Sequence, residues 1–167
     1  MAKVEKLGKR EKGEQIGHGF FYDQLPVGRR FHTMGRTITE TDLVSFVNLI
    51  WLTEEGFVNV VPDRTHTVKG RFIPGAMVYC FAEGLLLPSM QFTGQAFLGT
   101  ELNHTAPTIL GDTIHVECEV IEMRRASKGN RGLVRTRNHV VNQRDEVVLI
   151  YTPLRMLSGS PQAGGQG

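Results

Sequence analysis

A handful of side chains in this sequence are of the kinds that move protons. Glu54 and Glu55 follow Trp51 by three and four positions. A carboxylate pushed against an apolar ring has its pKa raised toward neutrality, where it can act as base or acid. Glu83 is the single charge in the apolar run 75–87, and His104 and His66 are further candidates for proton transfer. Pro74-Gly75 opens the apolar run. A helix starting there leaves the backbone N–H groups of Gly75, Ala76 and Met77 without intrahelical acceptors, and its dipole adds partial positive charge at that end. Such a start can hold a carbonyl or enolate oxygen. Each group also has a plain structural reading. Glu54 and Glu55 suit a solvated helix end, and Glu83 could pair with an arginine such as Arg135 or Arg137. Gly75 suits close packing, while His66 and His104 suit structural or surface positions. His115 and His139 alternate with apolar neighbours and read as solvent-facing.

The elements that must position these groups emerge from periodicity. Asp23–Arg30 is turn-rich and leads into an extended stretch, Phe31–Ile38. Thr39-Glu40-Thr41-Asp42 offers side-chain caps ahead of Leu43, Phe46, Val47 and Ile50, apolar at helical spacing, which predicts a helix from Thr39 to about Leu52. A second helix begins at Pro74-Gly75 and is stopped by Pro88. Lacking a polar face, it should be wrapped by other structure. Beyond it the chain is strand-like over 96–104, 112–123, 132–143 and 146–157, with apolar and polar residues alternating through Thr113–Val120. The Gly111-Asp112-Thr113 sequence reads as a turn in which Asp112 accepts backbone N–H bonds. One buried helix succeeded by long antiparallel strands is an α+β layout in which a curved sheet must enclose the helix.

Composition sets the outer limits. With 167 residues, 40% hydrophobic and 22% charged, the chain suits one globular domain, expected at 19–157 between an N-terminal tail, 1–18, and a small polar C-terminal tail, 158–167, expected to be disordered. The N-terminal 14 residues carry five bases against three acids, so the formal +2 of the whole chain sits in that tail. A neutral body argues against a nucleic-acid-binding face. No apolar stretch is long enough for a membrane span, and no apolar segment comes after the N-terminal charges as in a signal peptide. Cys80 and Cys118, in apolar contexts and without metal spacing, read as buried free thiols in a reducing cytoplasm. Metal-ligand clusters and Gly-rich phosphate loops are absent from the sequence, so no metal, nucleotide or prosthetic group is expected.

Taken in order, four segments resemble the MaoC-like acyl-CoA hydratase/dehydratase family of the hot-dog superfamily, over roughly residues 20–157. They are FYDQLPVGRRFHTMGRTITETDLVSF, KGRFIPGAMVYCFAEGLL, ELNHTAPTILGDTIHVECEVIEMRR and GLVRTRNHVVNQRDEVVLIYTPLRML. The resemblance implies the hot-dog fold, a long central helix wrapped by a curved antiparallel sheet. It also implies (R)-specific hydration of an enoyl thioester, or dehydration of a 3-hydroxyacyl thioester, carried by coenzyme A or a carrier protein in fatty acid metabolism. The family supplies acid and base from a D-x-N-P-x-H pattern after the first helix. Here the matching stretch is Trp51-Leu52-Thr53-Glu54-Glu55-Gly56, with Trp51 at the Asp position and Gly56 at the His position. Glu54, Glu55, Glu83 and His104 remain as available groups, Gly75, Ala76 and Met77 as carbonyl donors, and the Trp51 ring as a filler near the reacting carbons. Two other readings stay open. One is a catalytically inactive acyl-thioester-binding or structural subunit. The other is an acyl-CoA thioesterase using Glu83, since Pro74–Glu83 resembles the H-G-G-V-x-x-A-x-A-E pattern of hot-dog thioesterases, with Pro74 in place of the His. The basic loop carrying Arg124, Arg125, Lys128 and Arg131 could meet coenzyme A phosphates. Open sheet edges imply a homodimer or a dimer of dimers.

Overall fold

The capping signal at Thr39 operates as its residue types dictate. In the computed structural model, which describes residues 17–59, 61 and 70–161, helix α1 spans Glu40–Ile50. The Asp42 N–H donates to Thr39 Oγ1 at 3.3 Å, and the Thr39 N–H donates to Asp42 Oδ2 at 2.9 Å, so two orphan donors are satisfied reciprocally. Leu43 and Val47 face the core. The helix ends at Trp51, whose φ of 61° is left-handed, an unfavourable conformation for a bulky residue. A single turn, α2 (Glu55–Val58), comes next.

The apolar run forms α3 (Gly75–Leu86), and Pro88 lies in a 3-10 turn, Leu87–Ser89, that ends it. Met77, Val78, Ala82 and Leu86 are buried against the sheet, at roughly 1.5–3 kcal/mol for each large side chain removed from water. Among the described residues only one side is covered. Ala76, Cys80 and Gly84, four residues apart in turn, form an exposed stripe. The expectation of two buried thiols therefore holds for Cys118 and fails for Cys80, although both are free.

Among the described residues eight strands make one antiparallel sheet: β1 (Arg30–His32), β2 (Arg36–Thr37), β3 (Gly94–Gly99), β4 (Leu102–His104), β5 (Thr113–Arg125), β6 (Arg131–Asn142), β7 (Val147–Tyr151) and β8 (Leu154–Ser158). β1 and β2 both pair with β5, β5 with β6, and β6 with both β7 and β8. On the far side β3 pairs with β8 and β4 with β7, so β3 and β4 together form an edge. The alternation read in Thr113–Val120 is realised: Ile114, Val116, Cys118 and Val120 point to the core. Asp112 is buried at the turn before β5, accepting from the Ile109 N–H at 2.9 Å, from Gln143 Nε2 at 2.8 Å and from Arg144. Burial alone would raise its pKa, but these donors and the Arg144 charge hold it below the usual carboxylate value.

The two ends of the described chain meet. Tyr22 is buried against Gly132 of β6, where a Cβ would fall 2.3 Å from the tyrosine ring. Ser160 donates from its N–H and its hydroxyl to the Asp23 carboxylate, at 2.9 and 2.7 Å, and its carbonyl accepts from Asn130 at 2.8 Å. The body thus continues through Ser160, past the boundary expected at residue 158.

Candidate functional site

Edge strand and central helix run side by side in opposite directions, and residues of both mark each end of their seam. At one end Glu83 of α3 and Ala96 and Phe97 of β3 border a common groove. At the other, the imidazole of His104 on β4 lies directly over the start of α3: a Cβ built on Gly75 would sit 2.5 Å from His104 Nε2. Only glycine admits the ring there. The helix start itself is anchored by the Ile73 N–H on the Thr108 carbonyl (2.8 Å) and the Leu110 N–H on the Arg71 carbonyl (2.9 Å). Arg71 also holds the Phe57 carbonyl at 2.9 Å and pairs with Glu40, tying α1 and α2 to this entrance.

The donor set is narrower than the sequence suggested. The Met77 N–H is committed to the Pro74 carbonyl at 2.9 Å. Gly75 and Ala76, the first two helical residues, precede the point at which the helix can satisfy its own N–H groups. An oxygen placed there would meet two N–H groups, the positive end of α3 and an imidazole.

The other sequence candidates sit elsewhere. Glu54 and Glu55 are exposed at the start of α2 instead of lying in an apolar pocket. Glu54 caps that turn by accepting the Gly56 N–H at 3.0 Å, and Glu55 accepts from Asn59 at 3.0 Å. Trp51 does not fill the site either, since its left-handed backbone turns the ring outward and leaves the residue 86% exposed. Gly56 packs on the Phe72 ring. His66 lies outside the described residues.

Glu83 pairs with neither Arg135 nor Arg137. Odd-numbered positions of β6 turn away from the helix, and Arg135 pairs there with Glu122 at 3.2 Å. The partner is Arg155, which points inward from β8 and donates to both Glu83 oxygens at 2.5 and 2.6 Å. Fully buried Tyr151 and Asn138 stand nearby, and their hydroxyl and amide meet no partner at hydrogen-bonding geometry. Burial, then the charge of Glu83, raises the pKa of Tyr151 and of Tyr79. Burial pushes the Cys118 thiol up to about 12. Glu83 lies eight residues, roughly 12 Å, along α3 from Gly75 and cannot reach an oxygen held at the helix start.

The basic hairpin between β5 and β6 is remote as well. His104 is in register with Leu149, which is in register with Val140. Arg131 is nine residues back along β6, roughly 30 Å away. A depression of about 640 Å³ lies against β1, β5 and β6, lined by Arg30, His32, Glu117, Glu119 and His139. Its charges compensate one another across the strands, as in the Arg30–Glu119 pair at 3.4 Å. Among the described residues no group of three His, Cys, Asp or Glu is arranged to hold a metal ion. Among them, too, no helix is long and apolar enough to cross a membrane.

A long helix laid on an antiparallel sheet is the layout of a hot-dog domain. The comparisons agree. Residues 26–151 match the family described as FAS1-like, dehydratase domain region, and the chain belongs to that family of MaoC-like dehydratases. Among solved structures, a MaoC-like dehydratase from Rhodospirillum rubrum is 25% identical, with a TM-score of 0.75 over 86% of this chain and 99% of that one. An R-hydratase from Pseudomonas aeruginosa is 26% identical, with a TM-score of 0.71 over 85% and 88%. A Mycobacterium tuberculosis protein with a double hot-dog fold is 19% identical, with a TM-score of 0.72, and this chain spans 46% of its length. No curated protein matches in sequence.

Proposed function

We propose that this chain is an enoyl-thioester hydratase/3-hydroxyacyl-thioester dehydratase in which His104 carries the proton. The observation that supports this is the contact of the His104 imidazole with the α3 start. The thioester carbonyl oxygen accepts from the Gly75 and Ala76 N–H groups. In the dehydration direction His104 Nε2 takes the α-proton, and the electron pair moves into an enolate held by those donors and the helix dipole. The imidazolium then gives the proton to the departing β-hydroxyl, which leaves as water. Hydration is the reverse.

Exposure of Glu54 and Glu55 favours a second reading, a subunit that binds an acyl thioester without turning it over. The thioesterase reading loses support from the position of Glu83, roughly 12 Å along α3 from the carbonyl donors at Gly75 and Ala76. Purified protein given crotonyl-CoA separates the three through loss of enoyl absorbance and appearance of free thiol. Hydration without thiol is expected, and His104→Gln should lower kcat about 10²–10³-fold with KM nearly unchanged. Thiol release would support hydrolysis, and binding without either signal the inactive subunit.

The proposal includes a homodimer formed along the β3/β4 edge. That edge exposes Phe97, Leu98 and Leu102 beside Phe92, and the Ala76/Cys80/Gly84 stripe is open next to it. Two free thiols suit a cytoplasmic setting.

A further inference from the structure

The seam between α3 and the edge strand widens, at the end away from His104, into a groove of about 370 Å³. Its walls are largely apolar, with Leu87, Met90, Phe92 and Phe97 among them, and because the two phenylalanines also belong to the edge proposed for the dimer, the groove opens beside that interface. Its floor is not, because Glu83 and Arg155 both line it. Arg155 is only 9% exposed in its side chain and Glu83 25%, so the pair is mostly withdrawn from water yet faces this space. The guanidinium stands 5.7 Å from the Phe97 ring. A buried ion pair is weak as a source of stability, since apolar residues of similar volume often do as well. Its value here is as a recognition surface. An apolar chain end laid on it would strip the pair of solvent without replacement. A carboxylate would meet Glu83, and an ammonium would meet Arg155. The complement is a neutral group with both a donor and an acceptor.

Building on the thioester reading above, we propose that this groove recognises a neutral hydrogen-bonding group about 12 Å from the thioester carbonyl, the span from Gly75 to Glu83. The group donates to Glu83 and accepts from Arg155. Two parts of an acyl thioester present such chemistry at that reach: a hydroxyl near the end of a medium-length acyl chain, or the distal amide of a pantetheine arm.

Calorimetric titration of the full chain decides between them. One arm compares ω-hydroxydecanoyl-CoA with decanoyl-CoA. The other compares the hexanoyl thioesters of pantetheine and of N-acetylcysteamine. The member carrying the polar group should bind about tenfold tighter or more in one arm, as expected for a hydrogen bond to a charged group. That preference should vanish in the Glu83→Leu/Arg155→Met double variant, which replaces the pair with apolar groups. The wild-type comparison needs no variant, so a folding defect would not mask the answer. Equal affinities in both arms, or a preference that survives in a folded double variant, would overturn the proposal. If hexanoyl-CoA binds under those conditions, only the groove's role falls. If no thioester binds at all, the reading of the helix start falls with it.

Discussion

Gly75 and His104 touch, and the consequence can be measured. Gly75→Ala puts a methyl where the imidazole lies, and the exposed ring can swing aside. Stability should therefore change by no more than about 1 kcal/mol, while crotonyl-CoA hydration falls at least about tenfold through lost positioning. Urea melts and steady-state rates check the two halves, and an unchanged rate would remove His104 from the chemistry. The sequence named both residues but could not join them, because 29 positions separate them and only the turn from α3 into the edge strand brings them together. Glu54 and Glu55 misled for the opposite reason. Their nearness to Trp51 in sequence implied a shared apolar pocket, but a left-handed residue at 51 sends ring and carboxylates to solvent. A buried partner for Glu83 was foreseeable, but choosing Arg155 over Arg135 or Arg137 required knowing which parity of β6 and of β8 faces the helix.

The elements themselves were largely legible. Capping chemistry marked the start of α1, prolines bracketed α3, and the period-two pattern of β5 survived intact, because these are local signals with local causes. The left-handed end of α1 carries no such signal. Trp51→Gly removes a strained conformation and an exposed ring, and should raise stability by about 1 kcal/mol in urea unfolding. Asp112 gives the turn before β5 a pH dependence whose sign comes from its lowered pKa. Its contribution is fully present above the unfolded carboxylate value near 3.8 and is lost as pH falls through the lower folded value. Asp112→Asn should cost about 2 kcal/mol at neutral pH, and its melt should converge on wild type as the medium is acidified through the lowered folded-state value. A gap that persists into acid would mean that the carboxylate's charge is not what matters.

For the whole molecule, the open stripe on α3 was the feature that composition obscured. The apolar helix was expected to be wrapped by other structure, and the sheet does cover one face of it, but among the described residues the stripe of Ala76, Cys80 and Gly84 stays open. Sedimentation velocity at micromolar concentration should give a dimer, and Phe97→Lys with Leu98→Lys should give a folded monomer. Thiol labelling reports the same equilibrium: Cys80 should alkylate readily in the monomer and slowly in the dimer, while Cys118, its thiol pushed up to about 12, reacts in neither until the chain is unfolded. A wild-type monomer with Cys80 fully reactive at all concentrations would rule this interface out.

The knot of Asp23, Asn130 and Ser160 also has a practical side. Asp23 and Ser160 meet at the corner of the sheet beside Arg131, at the opposite end of β6 from the rung that carries Leu149 and His104. A tether attached at Asp23 or Ser160 would therefore sit at the far end of the sheet from the helix start, and protein held there should capture thioesters at Gly75 and His104 as free protein does.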